Sequence, residues 1–250
     1  MNTLKHFITF STLFLFVVAV GCGNSHELTE LTKKAIMATT ETHSYRMRSL
    51  VESVADGEAS VNFFEVDFVA PDRYRQKSGC ASCPGDQDWY ELVFIGDEGY
   101  LRSSHRPEWC QLPCDNGSSS TMTPRDHLAY TLEPLNWLVQ LQKLPDQKAN
   151  GFDCWHYFGM VNMDSYTKRK FKVEEGQVPP DALYEGMRRG TMIVEVWVEK
   201  STYLIRQLKS IESYDIVNAT TGKENSFSGV ITTQFHDYNE PLIIKPPKID

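Results

Sequence analysis

Four cysteines near the middle of the chain carry its most specific chemical signal. They form two close pairs, Cys80-x2-Cys83 and Cys110-x3-Cys114, which flank a predicted β-hairpin. Paired thiols at such spacings either oxidise to disulfides or bind zinc, as in zinc knuckles. The 26 residues between the pairs exceed the usual spacing of a zinc ribbon. The spacing therefore favours disulfides, with zinc as the alternative.

The choice between disulfides and zinc depends on the compartment, which the N-terminus indicates. Lys5 precedes an apolar run at residues 7–20, and Gly21-Cys22 follows it. A charged start, a short apolar run and small residues at its end are typical of an export signal. The run is shorter than the roughly 20 apolar residues that a membrane-spanning helix needs. An uncleaved signal anchor and ordinary secretion are the alternatives.

The segment Ala19-Val20-Gly21-Cys22 resembles the lipobox of bacterial lipoproteins, although Ala19 stands where that motif usually has Leu. In that family the cysteine thiol receives a diacylglycerol, and cleavage makes this cysteine the first residue. The resemblance implies a signal peptide at residues 1–21, a lipidated tether at residues 22–26 and one domain at residues 27–250. It places the protein at the extracytoplasmic face of the cell membrane, anchored through acylated Cys22. Disulfides persist in that oxidising environment.

The register of the predicted hairpin suggests how the cysteines pair. If residues 96–99 form a four-residue turn, Ile95 stands opposite Tyr100. Facing positions of a hairpin can supply the Cα separation of about 4.4–6.8 Å that a disulfide needs. Extending this ladder predicts nested bridges and one remaining buried strand thiol, namely Cys83–Cys110, Cys80–Cys114 and free Cys154.

The sequence shows no catalytic arrangement. It contains no Gly-x-Ser-x-Gly elbow, no His-Glu-x-x-His motif, no phosphate-binding loop and no dinucleotide fingerprint. The seven histidines are scattered: His156 lies in a predicted strand, where a structural role is expected, and His127 lies at a helix start. We therefore expect no enzyme, no catalytic residues, no cofactor and no bound metal.

Composition excludes further classes of partner. The net charge is −8, or −9 once Lys5 leaves with the signal peptide, which argues against nucleic acid and against polybasic adhesion to anionic lipid. Hydrophobic residues make up 41% of the chain and aromatic residues 12%. The chain can therefore bury a core, and it is not disordered.

Hydrophobic periodicity predicts an α+β fold. Apolar residues at spacings of three and four predict a helix at residues 28–41 and another that starts at Pro124 and runs to about residue 141, with Pro134 dividing it. Period-two alternation predicts eight to ten antiparallel strands. The best-defined strands are expected at residues 59–69, 89–95, 152–161 and 191–199. Residues 164–190 are predicted to form a polar excursion with some local helix.

Several strand and turn motifs resemble the LppX/LprG-type lipoproteins and, more distantly, the LolA/LolB lipoprotein-localisation fold. They cover about half of the chain after Cys22 and are, in order, GEASVNFFEVDFVAPDRYRQK, VFIGDEGYLR followed by PEW, GFDCWHYFG, VEVWVEKSTYLIRQLKSI and FHDYNEPLIIKPP. The resemblance implies a curved antiparallel sheet, a half-barrel, with helices covering its concave face. Family members hold acyl chains of lipids or lipoproteins in the cavity.

The cavity of such a fold can be placed from the residues. One strand has the longest apolar alternation, and the helix after Pro124 has an apolar stripe that needs a partner. The predicted lining consists of Met192, Val194, Val196 and Val198 on the strand, with Leu128, Leu132 and Leu135 on the helix.

Two functions remain open. The first is an anchored, non-enzymatic lipoprotein that binds or carries a lipid or other acylated ligand. The second is an envelope interaction or sensor module on the same fold, with a filled core and a protein partner. A continuous apolar cavity of several hundred Å3 would favour the first function.

Overall fold

The computed structural model describes residues 25–82, 88–112, 124–172, 182–217 and 224–249. The α-helices of these ranges are α1 Ser25–Thr40, α2 Pro124–Leu132, α3 Met163–Lys170 and α4 Ala182–Arg189, and a 3-10 helix covers Glu133–Trp137. The strands are β1 Ser44–Ala55, β2 Glu58–Val69, β3 Arg73–Cys80, β4 Trp89–Ile95, β5 Glu98–Ser103, β6 Arg106–Gln111, β7 Leu138–Ala149, β8 Phe152–Val161, β9 Thr191–Glu199, β10 Ile205–Val217 and β11 Glu224–His236. The predicted bounds of β4, β8 and β9 are confirmed.

These strands form one antiparallel sheet in the order β6-β5-β4-β3-β2-β1-β11-β10-β9-β8-β7. Each half is a meander in which consecutive strands are neighbours. The two halves join where the first strand pairs with the last, from Arg46 opposite His236 to Ala55 opposite Phe227. The sheet is open and curved, so the predicted α+β half-barrel is confirmed.

Tight turns hold the meanders in register. Asp56 and Gly57 connect β1 to β2 with positive φ angles of 52° and 84°. Asn150 and Gly151 connect β7 to β8 in the same way, with φ angles of 52° and 86°. Two successive residues with positive φ match the strand twist of a two-residue hairpin, and Asp-Gly and Asn-Gly sequences favour that conformation.

The main hydrophobic core lies between the inward face of the sheet and the helices. It includes Tyr45, Met47 and Phe235 from the junction strands, all at most 1% exposed. Leu31 and Ile36 of α1 pack against it. Side chains alternate between the two faces of a strand, so each strand that contributes to this core also carries a second, outward row.

The outward face has a smaller core. Ile244, in the segment after β11, packs with Val93 of β4 and Tyr100 of β5, and Trp109 flanks them. The Arg73 guanidinium lies 3.4 Å from the Ile244 carbonyl oxygen, to which it donates. The C-terminal segment thus packs against the outward face of the N-terminal meander.

The helix predicted at residues 124–141 is shorter than expected. Its α-helical part ends at Leu132, the 3-10 helix follows, and β7 begins at Leu138. Leucines at spacings of three and four continue into this strand and imitate a helical stripe. Pro134 lies in the second position of the 3-10 helix, where its missing N–H costs little.

The hairpin register behind the cysteine pairing is wrong. Ile95 stands opposite Glu98, not Tyr100, because Gly96 and Asp97 alone connect β4 to β5. Cys80 ends β3 and Cys110 lies in β6, so two further strands separate them. The missed strand β6 contains Pro107, which a sheet edge tolerates.

The pairing itself stays a prediction, because Cys83 and Cys114 lie outside the described residues, as does Cys22. Neither Cys80 nor Cys110 is a free thiol. Cys154 is free and buried, as predicted. Within the described ranges, no helix is long and apolar enough to cross a membrane.

The close packing of α4 against β10 can be tested at Gly186. A Cβ atom at this position would come 2.2 Å from the Asp215 carbonyl oxygen, so a side chain would force the helix away from the strand. We expect Gly186→Ala to lower the free energy of unfolding by about 1–3 kcal/mol, measured by chemical denaturation. The control is Arg189→Ala, in the same helix with a side chain 76% exposed. Equal stability of both variants would contradict this packing.

Candidate functional site

The seven residues predicted to line a cavity all lie in the main hydrophobic core. Those of β9 face inward from the sheet, those of α2 and the 3-10 helix come from the helical segments, and all belong to the main core. Each is at most 5% exposed, namely Met192, Val194, Val196, Val198, Leu128, Leu132 and Leu135. All seven side chains are therefore covered by other residues of the main core.

Open apolar surface lies elsewhere on the inward face, near the junction of the two meanders. Val51 of β1 stands opposite Ile231 of β11, and Phe64 of β2 is inward on the neighbouring strand. All three side chains are half-buried, whereas Met47 and Phe235 further along the same strands are buried completely. This part of the concave face therefore presents apolar surface that the described helices do not fully cover.

Hydrogen-bonded polar side chains of β1, β11, β3 and β4, which we call the polar floor, lie beside this apolar surface. The hydroxyl groups of Ser49 and Thr233 are 2.8 Å apart across β1 and β11, and both residues are buried. On β3, the Gln76 amide donates to the Tyr90 hydroxyl at 3.1 Å, and its oxygen accepts from Tyr74. Buried polar groups are tolerated when they are paired in this way. The concave face is therefore amphipathic.

Glu212 is a carboxyl on the inward face of β10. It stands opposite Gly229 of β11 and Met192 of β9. Loss of water around the group raises its pKa above the ordinary value, and Lys170 of α3 acts weakly in the opposite direction. Its neighbour Tyr214 loses water as well, which raises the pKa of that phenol to about 12. Burial thus stabilises the neutral form of this acid relative to its charged form.

Tyrosines surround this carboxyl and form what we call the tyrosine–glutamate cluster, defined as Glu212, Tyr130, Tyr166, Lys170 and Tyr214. The Lys170 ammonium lies 5.6 Å from the Tyr130 ring centroid and 5.7 Å from that of Tyr166. Burial, together with the charges of Glu212 and its neighbours, raises the pKa of Tyr166. Sequence reasoning missed this cluster. The sequence did contain one indication of it: Glu212 is a carboxylate at a position of β10 where period-two alternation predicts an inward side chain.

His127 of α2 provides a second polar group above the sheet. Its ring lies 6.0 Å from that of Tyr74, and burial lowers the pKa of the imidazole, which favours the neutral form. Its Nδ1 atom is buried and has no hydrogen-bond partner within the described structure. Such an atom is costly unless something pairs with it.

His156 has the structural role expected of it. It is buried, its Nε2 atom lies 2.9 Å from a Glu195 carboxylate oxygen, and its ring stacks on Trp197 at 4.2 Å. The hydrogen bond from His156 holds the pKa of Glu195 below its ordinary value. No group of three or more His, Cys, Asp or Glu residues in the described ranges could hold a metal ion.

Comparison with known proteins identifies the fold. No protein-family model and no curated protein matches the sequence. Among solved structures, LprF from Mycobacterium bovis matches with a TM-score of 0.53 at 9% identity, covering 89% of this chain and 97% of that one. Lipoprotein LppX from Mycobacterium tuberculosis matches with a TM-score of 0.48 at 15% identity, covering 88% and 99%.

A LolA superfamily protein from Nitrosomonas europaea gives a TM-score of 0.31 at 9% identity, over 87% of this chain and 94% of that one. At identities this low, a match shows similarity of fold alone. Of these three structures, LprF has a TM-score above 0.5, so the comparison rests on it. The half-barrel fold predicted from the strand and turn motifs is thereby confirmed, and the chain is similar in fold to the lipoprotein LprF.

Proposed function

We propose that this protein is an extracytoplasmic lipoprotein that binds a lipid or another acylated ligand on the concave face of its sheet, without catalysing a reaction. The observation that carries the proposal is a half-buried apolar patch on the inward face, formed by the facing residues Val51 and Ile231 together with Phe64, which stands opposite Ser49 on the next strand. Exposed apolar surface within a concave face is costly in water, so a binding role explains it better than chance.

Polar groups beside this apolar patch suit the polar headgroup of a lipid. The tyrosine–glutamate cluster offers phenols and a carboxyl whose pKa is raised by burial. An apolar surface with a few convergent polar groups is the usual composition of a ligand site. The arrangement accommodates an acyl chain with a hydroxyl-bearing or polar headgroup.

A second candidate is an interaction or sensor module of the cell envelope. It is favoured by the burial of all seven residues predicted to line a cavity, each of which belongs to the main core and is at most 5% exposed. On that interpretation, a protein partner covers the half-buried apolar patch of Val51, Ile231 and Phe64. Uptake of a lipid probe by the purified protein separates the two candidates.

Placement of the ligand on the concave face is tested with two adjacent residues on opposite faces of β1. Val51 faces inward and is half-buried, whereas Leu50 faces outward and is 41% exposed. Using residues 25–250, which contain the whole described fold, we expect Val51→Trp to weaken binding of dansyl-labelled undecanoic acid by about tenfold or more. Leu50→Trp adds the same indole to the other face and should bind like the parent. No uptake by the parent, or equal effects of both variants, would contradict the proposal.

The buried setting of Glu212 predicts a pH-dependent stability. Because its pKa is raised in the folded state, its contribution is fully present below the ordinary value of 4.5 and is lost as pH rises through the folded pKa. Glu212→Gln does not titrate, so the variant should gain melting temperature relative to the parent at pH 7, and this gain should shrink towards pH 4. The control is Glu52→Gln on the outward face. A difference between Glu212→Gln and the parent that does not change with pH would refute the assignment.

Anchoring is tested at Cys22. If this cysteine is acylated, Cys22→Ser should release the protein into the soluble fraction or leave it as an uncleaved precursor. Fractionation and mass spectrometry of the native host protein measure both outcomes. A processed variant that still fractionates with membranes would show that the anchor lies elsewhere.

A further inference from the structure

The outward face of the N-terminal meander carries two rows of alternating charge. Cross-strand neighbours in the first row are, from β1 to β5, Arg48, Glu65, Lys77, Glu91 and Arg102. The second row, beside it, runs Arg46, Asp67 and Arg75. Together the rows contain five cations and three anions, although the whole chain has a net charge of −8. We call these five cations, Arg46, Arg48, Arg75, Lys77 and Arg102, the basic groove.

A buried carboxylate fixes the centre of the basic groove. The side chain of Glu91 is only 2% exposed, and its two oxygens bind different guanidinium groups. Arg75 Nε lies 2.6 Å from Oε1, and Arg102 Nη2 lies 2.6 Å from Oε2. Arg75 and Arg102 remain 51% and 35% exposed. Glu91 therefore holds both guanidinium groups in place while they face solvent.

The groove has positive charge that its own anions do not neutralise. Two guanidinium groups share the single charge of Glu91. Lys77 forms no ion pair within the described residues, and Arg48 reaches Glu65 only at 3.7 Å with both side chains exposed. Exposed pairs of this kind contribute little stability. Arg46 is the exception, because its guanidinium lies 3.2 Å from an Asp67 oxygen and 3.0 Å from an Asp237 oxygen. The cations free to bind an external anion are therefore Lys77, Arg48 and the two guanidinium groups that share Glu91.

Three adjacent depressions follow the groove, and Arg75 contributes to each of them. Their volumes are about 290, 250 and 240 Å3. Arg46 and Arg48 line the first, Trp89 the second, and Trp109 with the C-terminal segment the third. The continuous surface is shallow and open, which suits a set of small anionic groups better than one enclosed ligand.

Apolar side chains border the charged rows. Leu50, Phe63 and Trp89 form the next row across β1, β2 and β4, with Gly79 between the last two. On the other side, Ile243 of the C-terminal segment is 78% exposed. Arginine and lysine beside exposed aromatic and aliphatic side chains are the composition of surfaces that lie on a membrane.

We propose that the basic groove docks the protein onto a membrane surface by binding the phosphate groups of anionic phospholipids. The choice of a bilayer over an acidic protein rests on the proposed function, because an acyl anchor at Cys22 would hold the protein within reach of lipid headgroups. The exposed apolar border makes the same choice independently, since it suits the interface of a membrane. The negative net charge of the chain does not oppose it, since exposed charges act over about one Debye length, roughly 8–10 Å.

The test measures binding of residues 25–250 to vesicles of phosphatidylcholine with or without about 30% phosphatidylglycerol. This fragment has no anchor, so the result does not depend on Cys22. Each basic residue near an anionic surface is worth about fivefold in affinity. The double variant Arg48→Gln/Lys77→Gln should therefore bind the anionic vesicles about 25-fold more weakly than the parent.

The control, Lys33→Gln/Lys148→Gln, removes the same charge from side chains that are 62% and 72% exposed outside the groove. It should bind like the parent. Equal weakening by both double variants, or no preference of the parent for phosphatidylglycerol, overturns the proposal. Binding of the parent to poly-glutamate but not to anionic vesicles also overturns it and assigns the surface to an acidic protein. Uptake of the fatty-acid probe, measured on the same variants, reports separately on the concave face.

Discussion

The pairing of the first strand with the last makes this molecule one body. Without the ladder from Arg46–His236 to Ala55–Phe227, the chain would consist of two separate meanders. Tyr45, Met47 and Phe235 belong to the core at this junction. The Tyr238 hydroxyl extends the connection by donating to the Ile205 carbonyl oxygen at 2.6 Å.

This ladder joins residues about 190 positions apart in the sequence, and such contacts form late because closing a long loop costs conformational entropy. The meanders themselves contain mostly local contacts between consecutive strands. We therefore expect the two halves to acquire structure separately and to be completed by their junction. The facing pairs Val51–Ile231 and Ser49–Thr233 lie at this junction, so the proposed ligand site is complete only when both halves have met.

Sequence reasoning succeeded where one physical signal dominated. Strands β4, β8 and β9 are interior strands of apolar alternation, and their bounds follow from it. It failed at the edges, because β6 and β7 are buried on fewer sides and their sequences lack that alternation. The error in the hairpin register had another cause: Gly96, with φ of 59°, permits a two-residue turn where four residues were expected.

The site was predictable only in part, for a related reason. Periodicity identifies which face of β9 is buried, but it does not tell a filled core from a cavity. Glu212 and the basic groove depend on which strands are neighbours, and strand order is not encoded in any local pattern. Arg48, Glu65, Lys77, Glu91 and Arg102 are distant in the sequence and form a row only in the folded sheet.

The two faces of the N-terminal meander differ in character because side chains alternate along every strand. Inward positions supply apolar and hydrogen-bonded residues, and outward positions supply charge. A single sheet can thus hold a ligand on one side and approach a charged surface with the other. The C-terminal segment limits the outward surface by covering Val93 and Tyr100 with Ile244.

The edge strands of the open sheet have one more consequence. Both contain a proline, Pro107 in β6 and Pro145 in β7, and β7 is also interrupted by irregularities in its pairing with β8. A proline removes a backbone donor that an incoming strand would need, and bulges turn an edge away from pairing. Molecules crowded side by side in two dimensions could otherwise polymerise through their sheets. The irregular edges allow such a population to remain as separate units at high local density.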